Sequence, residues 1–274
     1  MHTHRGMNSH AFPPLPLPLS RRRNDTSPAA GTSMAGRLGK DEDDLLLYAR
    51  AGVFAVADGV GSTEGACVAS TSAMHALARS VVERRRRSLA RRARAAVSDA
   101  RAALAANQQF PGMATTLAFL LVEGDRAVAC HLGDSRIYRL RDGHLDQLTE
   151  DHTLATELIR AGYAVPPRAR SVLSRCLRGR ANDEASYLLL QVEPDDRFLL
   201  TTDGVTGVVP DVMLERYLGA TDPNAAVDAI LGHVHRAQGM DDATAVVVDP
   251  GRLRSELAPD TQKVRQIPHP TEAA

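Results

Sequence analysis

The chain has 274 residues, 43% of them hydrophobic, and balances 33 basic against 33 acidic side chains. That length suits one sizeable domain with a full core, or two at most, and zero net charge argues against a dedicated nucleic-acid or membrane-surface protein. Three scattered cysteines without a CxxC pair exclude a disulfide framework and a zinc ribbon, no apolar run is long enough for a membrane span, and Met1 to Met34 lacks the apolar core of a signal peptide, so a reduced, cytoplasmic setting is expected.

Residues 1–35, rich in His, Pro, Ser and Arg, read as a disordered leader. Its Pro13 to Leu19 stretch has polyproline character, although such composition more often marks a plain tail. Leu45 to Tyr48 and Val53 to Ala57, separated by Ala51-Gly52, predict two strands joined by a tight turn, the second running into Asp58. Glu64 to about Arg79 and Leu89 to Ala106 read as helices. The arginines Arg84 to Arg87, with Arg91, Arg92 and Arg94, lack interleaved aromatics to stack bases, so a solvated helix face or turn is favoured over nucleic-acid binding. Residues 114–149 contain short apolar runs between Gly-containing turns and predict an antiparallel meander. A helical patch at Thr153 to Ala161 follows. Strands at Tyr187 to Val192, Arg197 to Thr202 and Thr244 to Val248 then alternate with helices at Pro210 to Leu218 and Pro223 to Ala237. Hairpins with helices beside them suggest an α+β layered domain over residues 36–250, with 251–274 a loosely ordered tail.

Four carboxylate motifs punctuate these elements: Glu42-Asp43, Asp58-Gly59, Asp203-Gly204 and Asp241-Asp242. Each lies at the end of an apolar run or just before one, where a strand would deliver it to a common edge. A single Asp-Gly is weak evidence, because the pair is a common turn, and Asp142-Gly143 reads as that. Carboxylates clustered at strand ends repel one another and lose hydration; hard divalent cations are what such a cluster holds. Two cations about 4 Å apart, sharing a carboxylate and a water, would clamp an in-line displacement at phosphorus, with no Ser or Cys nucleophile required.

The order of motifs resembles the protein phosphatase 2C family, the metal-dependent PPM serine/threonine phosphatases of bacterial type. The likeness runs from about Gly39 to Asp249 and rests on Glu42-Asp43, Val56-Ala57-Asp58-Gly59-Val60-Gly61, Met113-Ala114-Thr115-Thr116, Leu132-Gly133-Asp134-Ser135-Arg136, Leu148-Thr149-Glu150-Asp151-His152-Thr153, Asp203-Gly204-Val205 and Asp241-Asp242-Ala243-Thr244. The resemblance implies an αββα sandwich, two central antiparallel sheets flanked by helices. It makes Asp58 the bridging ligand of two Mn2+ or Mg2+ ions, with Asp203 and Asp241 completing the first and the Gly59 carbonyl serving the second. Glu42 or Asp43 would act nearby through water, and Asp134 with Asp203 would hold a third ion. Residues from Leu154 to about Leu173 would form a flap. The implied reaction is hydrolysis of phosphoserine and phosphothreonine in proteins by a metal-bridging water, opposing a cognate serine/threonine kinase, in a monomer.

The chain departs from the family pattern in places. Leu38 stands where members carry the Arg that grips the substrate phosphate, which leaves Arg37, one residue away, as the candidate. Asp41 and Asp242 stand where Asn is usual, Ala114 where Gly is common, and Val60 where eukaryotic members have a general-acid His. The alternative to an active enzyme is a weakly catalytic pseudophosphatase that binds phosphoproteins or a kinase; a hydrolase of small phosphoesters is a third reading. Cys130 to Arg136 also fits Cys-x5-Arg, the phosphate loop of cysteine phosphatases. That loop needs a following helix N-terminus, whereas a strand is expected here, so Cys130 is read as a buried strand residue.

Overall fold

The computed structural model describes residues 27–39, 42–61 and 64–257. Two antiparallel sheets stack face to face. The first contains β1 (Ala29–Met34), β11 (Ala243–Val248), β10 (Arg197–Thr201), β7 (Arg136–Arg141) and β8 (His144–Gln147), in that order. The second runs β2 (Asp43–Tyr48), β3 (Val53–Val60), β5 (Leu117–Glu123), β6 (Arg126–Leu132) and β9 (Ser186–Gln191), with the short β4 (Ala114–Thr115) pairing with the end of β3. Helices α1 (Glu64–Glu83) and α2 (Leu89–Ala106) cover the second sheet, while α5 (Asp211–Leu218) and α6 (Pro223–Arg236) cover the first.

Alternation of side chains along each strand makes the layers. On β3, Val53, Ala55 and Ala57 pack under α1 and α2, whereas Phe54 and Val56 enter the core between the sheets. On β10 and β11, Phe198, Leu200, Val246 and Val248 fill that inter-sheet core, while Leu199, Ala245 and Val247 face α5 and α6. The expected αββα sandwich is borne out.

Three features differ from the sequence reading. Ala29–Met34, expected within the leader, is an edge strand registered against β11 from Ala29↔Val248 to Met34↔Ala243. Its small and polar side chains carry no apolar alternation, so the pairing comes from β11 and not from its own pattern. The region 114–149 is not one meander. β5 and β6 form a hairpin in one sheet and β7 and β8 in the other, and the chain changes sheets at Gly133, whose φ of +114° suits only glycine. Finally, helix α7 (Pro250–Leu257) occupies the start of the expected tail. Residues 1–26, with the polyproline stretch, Asp41, and 258–274 lie outside the described residues.

Candidate active site

The site grows out of the strand period. Phe54 and Val56 face the inter-sheet core, so Asp58, next in the same column of β3, points the same way. Leu45 and Leu47 pack on that core from β2, which brings Asp43 into line, and Asp43 is the direct cross-strand partner of Asp58. Neighbouring columns change character at the same edge: Val246 gives way to Thr244, Leu200 to Thr202, Ala118 to Thr116 and Ile137 to Ser135. The apolar interlayer therefore ends in one polar rim shared by both sheets.

Hydrogen bonds lock this rim. Asp43 Oδ2 accepts from Thr202 Oγ1 at 2.8 Å and Thr244 Oγ1 at 2.6 Å. The Asp58 N–H donates to Thr116 Oγ1 at 2.9 Å, and its carbonyl accepts from the Thr116 N–H at 2.7 Å and Thr115 Oγ1 at 2.9 Å. Thr116 Oγ1 also lies 2.7 Å from Ser135 Oγ, tying β3 to the crossover that carries Asp134. His152 grips that crossover twice: its N–H donates to the Gly133 carbonyl at 3.0 Å, and its Nδ1 accepts from the Gly133 N–H at 3.2 Å. Sequence reasoning assigned Thr202, Thr244, Thr116 and His152 no role; for the threonines the signal was a hydroxyl residue closing each apolar column, and His152 had none.

Burial and like charge then set the electrostatics. Burial, followed by the charges of Asp43, Asp203 and Asp134, raises the Asp58 carboxyl well above its ordinary range. Asp43 is pushed up to about 7, burial outweighing its two threonine hydrogen bonds. Burial and the neighbouring Asp203 and Asp151 push Asp134 up to about 7 as well. Asp203 is raised by burial and then by Asp241, and its buried Oδ1 has no hydrogen-bond partner among the described residues. A counterweight comes from Arg136, which donates to both oxygens of Asp151 at 2.8 and 2.7 Å and lowers Asp134 and Asp203.

The structure brings Asp43, Asp58, Asp134, Asp203 and Asp241 into one electrostatically coupled edge. Asp203 opens the single helical turn α4 (Asp203–Thr206) directly after β10, and Asp241 is exposed just before β11. Gly59 donates to the Glu42 carbonyl at 3.1 Å; a Cβ there would lie 2.4 Å from the Ala66 carbonyl, so no other residue fits. Glu42 is buried beside it. Arg37 is exposed on a turn whose Arg37 and Leu38 N–H groups donate to the Gly239 and Met240 carbonyls, at 3.3 and 3.2 Å. Among the described residues no three His, Cys, Asp or Glu side chains yet surround a single point as a ligand shell. Cys130 is fully buried under the helices, with its thiol pushed up by burial, and strand β7 follows it. The cysteine-phosphatase reading fails on that geometry.

Fold and site together define an α+β sandwich with a half-buried acidic edge where its two sheets meet. The protein phosphatase 2C family profile matches residues 31–250, and the chain belongs to that family. It is 32% identical over 229 residues to the serine/threonine protein phosphatase PstP of Mycobacterium tuberculosis, covering 80% of this chain and 44% of that protein. The chain thus spans less than half of that relative's length. The crystal structure of PstP superposes with a TM-score of 0.75 at 31% identity, over 81% of this chain and 97% of that one. A second structure, the PstP catalytic domain in complex with two manganese ions, gives 0.73 at 31% identity over 81% and 96%. PppA of Pseudomonas aeruginosa, described as a key regulatory component of T6SS, gives 0.71 at 30% identity over 80% and 96%.

Proposed function

We propose that the protein is a metal-dependent phosphatase of phosphoserine and phosphothreonine in proteins, opposing a serine/threonine kinase in the cytoplasm. The observation that carries this reading is the acidic edge: burial and neighbouring carboxylates raise the pKa of Asp43, Asp58, Asp134 and Asp203, and Asp203 Oδ1 has no hydrogen-bond partner among the described residues. Hydroxyl donors alone do not offset that repulsion, whereas divalent cations do. Asp58, Asp203, Asp241 and the Gly59 carbonyl would hold two Mn2+ or Mg2+ ions, with Glu42 and Asp43 behind them and Asp134 serving a third. Bound there, the ions would neutralise the carboxylates and lower the pKa of water, the chemistry that in-line hydrolysis at phosphorus needs.

The chain's own groups do the remainder. Asp43, held by Thr202 and Thr244, and Thr116, bonded to the Asp58 backbone, orient the carboxylates. Arg37 would grip the substrate phosphate. The segment between Thr153 and Leu173, whose base is closed by the bond from the Leu154 N–H to the Val172 carbonyl at 2.8 Å, would shape access for a protein substrate. Hydrolysis of a phosphothreonine peptide with Mn2+, with and without a chelator, tests the reading. Turnover that survives chelation would sink it.

A further inference from the structure

Besides the backbone bonds from Arg37 and Leu38, the side chain of Asp242 fastens the turn that carries Arg37 beside the acidic edge. Its Oδ1 accepts from the Gly36 N–H at 2.8 Å and its Oδ2 from the Glu42 N–H at 2.7 Å. The two donors bracket the loop, one on each side of Arg37. Asp242 is only 4% exposed, so both bonds are charge-assisted and shielded from water. At the first of these bonds, Gly36 packs so closely that a Cβ would sit 2.2 Å from the Asp241 carbonyl. At the far end, the Glu42 carbonyl accepts from Gly59 N–H at 3.1 Å and from Ser70 Oγ at 2.8 Å. Gly36 and Glu42 are therefore each held beside the carboxylate cluster, while Arg37 itself stays exposed.

We infer that Asp242 is a positioning residue for substrate phosphate: its two carboxylate oxygens hold the Gly36 and Glu42 N–H groups on either side of Arg37 and so fix the turn from which Arg37 reaches the phosphate. The inference rests on the proposed role of Arg37. It also explains the residue type. A carboxylate accepts at both oxygens, whereas an amide offers one acceptor and turns an N–H2 toward the second donor. Asp242→Asn keeps the shape but opposes two donors, releasing one end of the loop.

The test is steady-state kinetics on p-nitrophenyl phosphate and a phosphothreonine peptide, with inorganic phosphate as inhibitor and Mn2+ titrated separately. Asp242→Asn is expected to raise KM and the phosphate Ki together by about tenfold, the scale of one lost charge-assisted hydrogen bond. At saturating Mn2+, kcat is expected to stay within about twofold, because no proposed ligand changes; the Mn2+ titration sets that concentration for each variant, since the Asp242 charge also acts on Asp43. In an Arg37→Ala background, Asp242→Asn should raise KM no further. Full multiplication of the two effects, or an unchanged KM in Asp242→Asn, overturns the inference. An unchanged KM and Ki in Arg37→Ala overturns the role of Arg37 and the inference with it. If Asp242→Asn fails to fold, Gly36→Ala reports the same displacement from the opposite side of the loop, and a normal KM in that variant overturns the inference equally.

Discussion

Asp43 and Asp58 are directly paired across the β2–β3 ladder, two carboxylates facing the same half-buried polar rim. Like charges opposite one another destabilise a sheet, and here both lose hydration as well. The pair makes sense only if its charge is used, and its cost has a measurable pH dependence. Asp43 in the folded chain is pushed from 3.8 to about 7, so the fold favours its neutral form. That contribution to stability is present below pH 3.8 and is lost as pH rises through about 7. Cations compete with protons for the same oxygens. The rise in Tm produced by saturating Mn2+ should therefore be larger at pH 8 than at pH 5.5, in melts of chelator-treated protein; equal shifts would contradict the metal assignment.

Asp58→Asn and Asp203→Asn should each lower Mn2+-dependent hydrolysis of p-nitrophenyl phosphate on the order of 10³-fold, since each removes a charge the proposed centre depends on. The same substitutions relieve buried repulsion. Without metal at pH 8 the variants should melt above the parent, by about 2–4 °C for each kcal/mol recovered. A variant that is inactive because it is unfolded would melt lower, so the two measurements separate chemistry from stability.

Arg197 and Asp249 form a bidentate pair at 2.6 and 2.8 Å, and Arg197 Nη1 also donates to the Leu218 and Ala220 carbonyls. It fastens β10 to the end of β11 and to the turn after α5. With side chains 11% and 10% exposed, Asp249→Ala strands a buried guanidinium and should cost about 3–5 kcal/mol in urea unfolding. Asp146→Ala removes the partner of Arg139 where the carboxylate is 56% exposed, and should cost about 0–1 kcal/mol.

Cys130→Ala should leave kcat and KM within about twofold of the parent, and iodoacetamide should not inhibit the parent through this thiol. Burial holds the sulfur protonated, and it faces α1 and α2 on the side of the sheet away from the carboxylates. Loss of turnover in a folded Cys130→Ala protein would restore the cysteine mechanism.

The strands and helices with strong periods were legible in the sequence. Leu89–Ala106 appears with the expected ends, and β3, β5, β6, β10 and β11 fall within a few residues of their apolar runs. β1 was not, because Ala, Gly, Thr and Ser carry no alternation and its partner β11 lies more than two hundred residues away. The crossover at Gly133 was hidden for a related reason. A glycine between two strand-like runs reads equally as a hairpin turn or as a change of sheet, and only the packing of β7 beside β10 decides between them.

The amino-acid sequence by itself determined the acidic inventory, Asp58, Asp203 and Asp241 with Asp43, because short motifs ending apolar runs survive as local pattern; Asp134 came in only through the family resemblance. Tertiary structure decided which of these share an edge and how strongly they oppose one another. It paired Asp43 with Asp58, supplied Thr202 and Thr244 as donors, and left Asp203 Oδ1 without a partner among the described residues. It also gave Asp242, an apparent surplus of negative charge in the sequence, two backbone N–H groups to hold. Burial and hydrogen-bond partners come from residues far apart in the chain, and no local pattern encodes them.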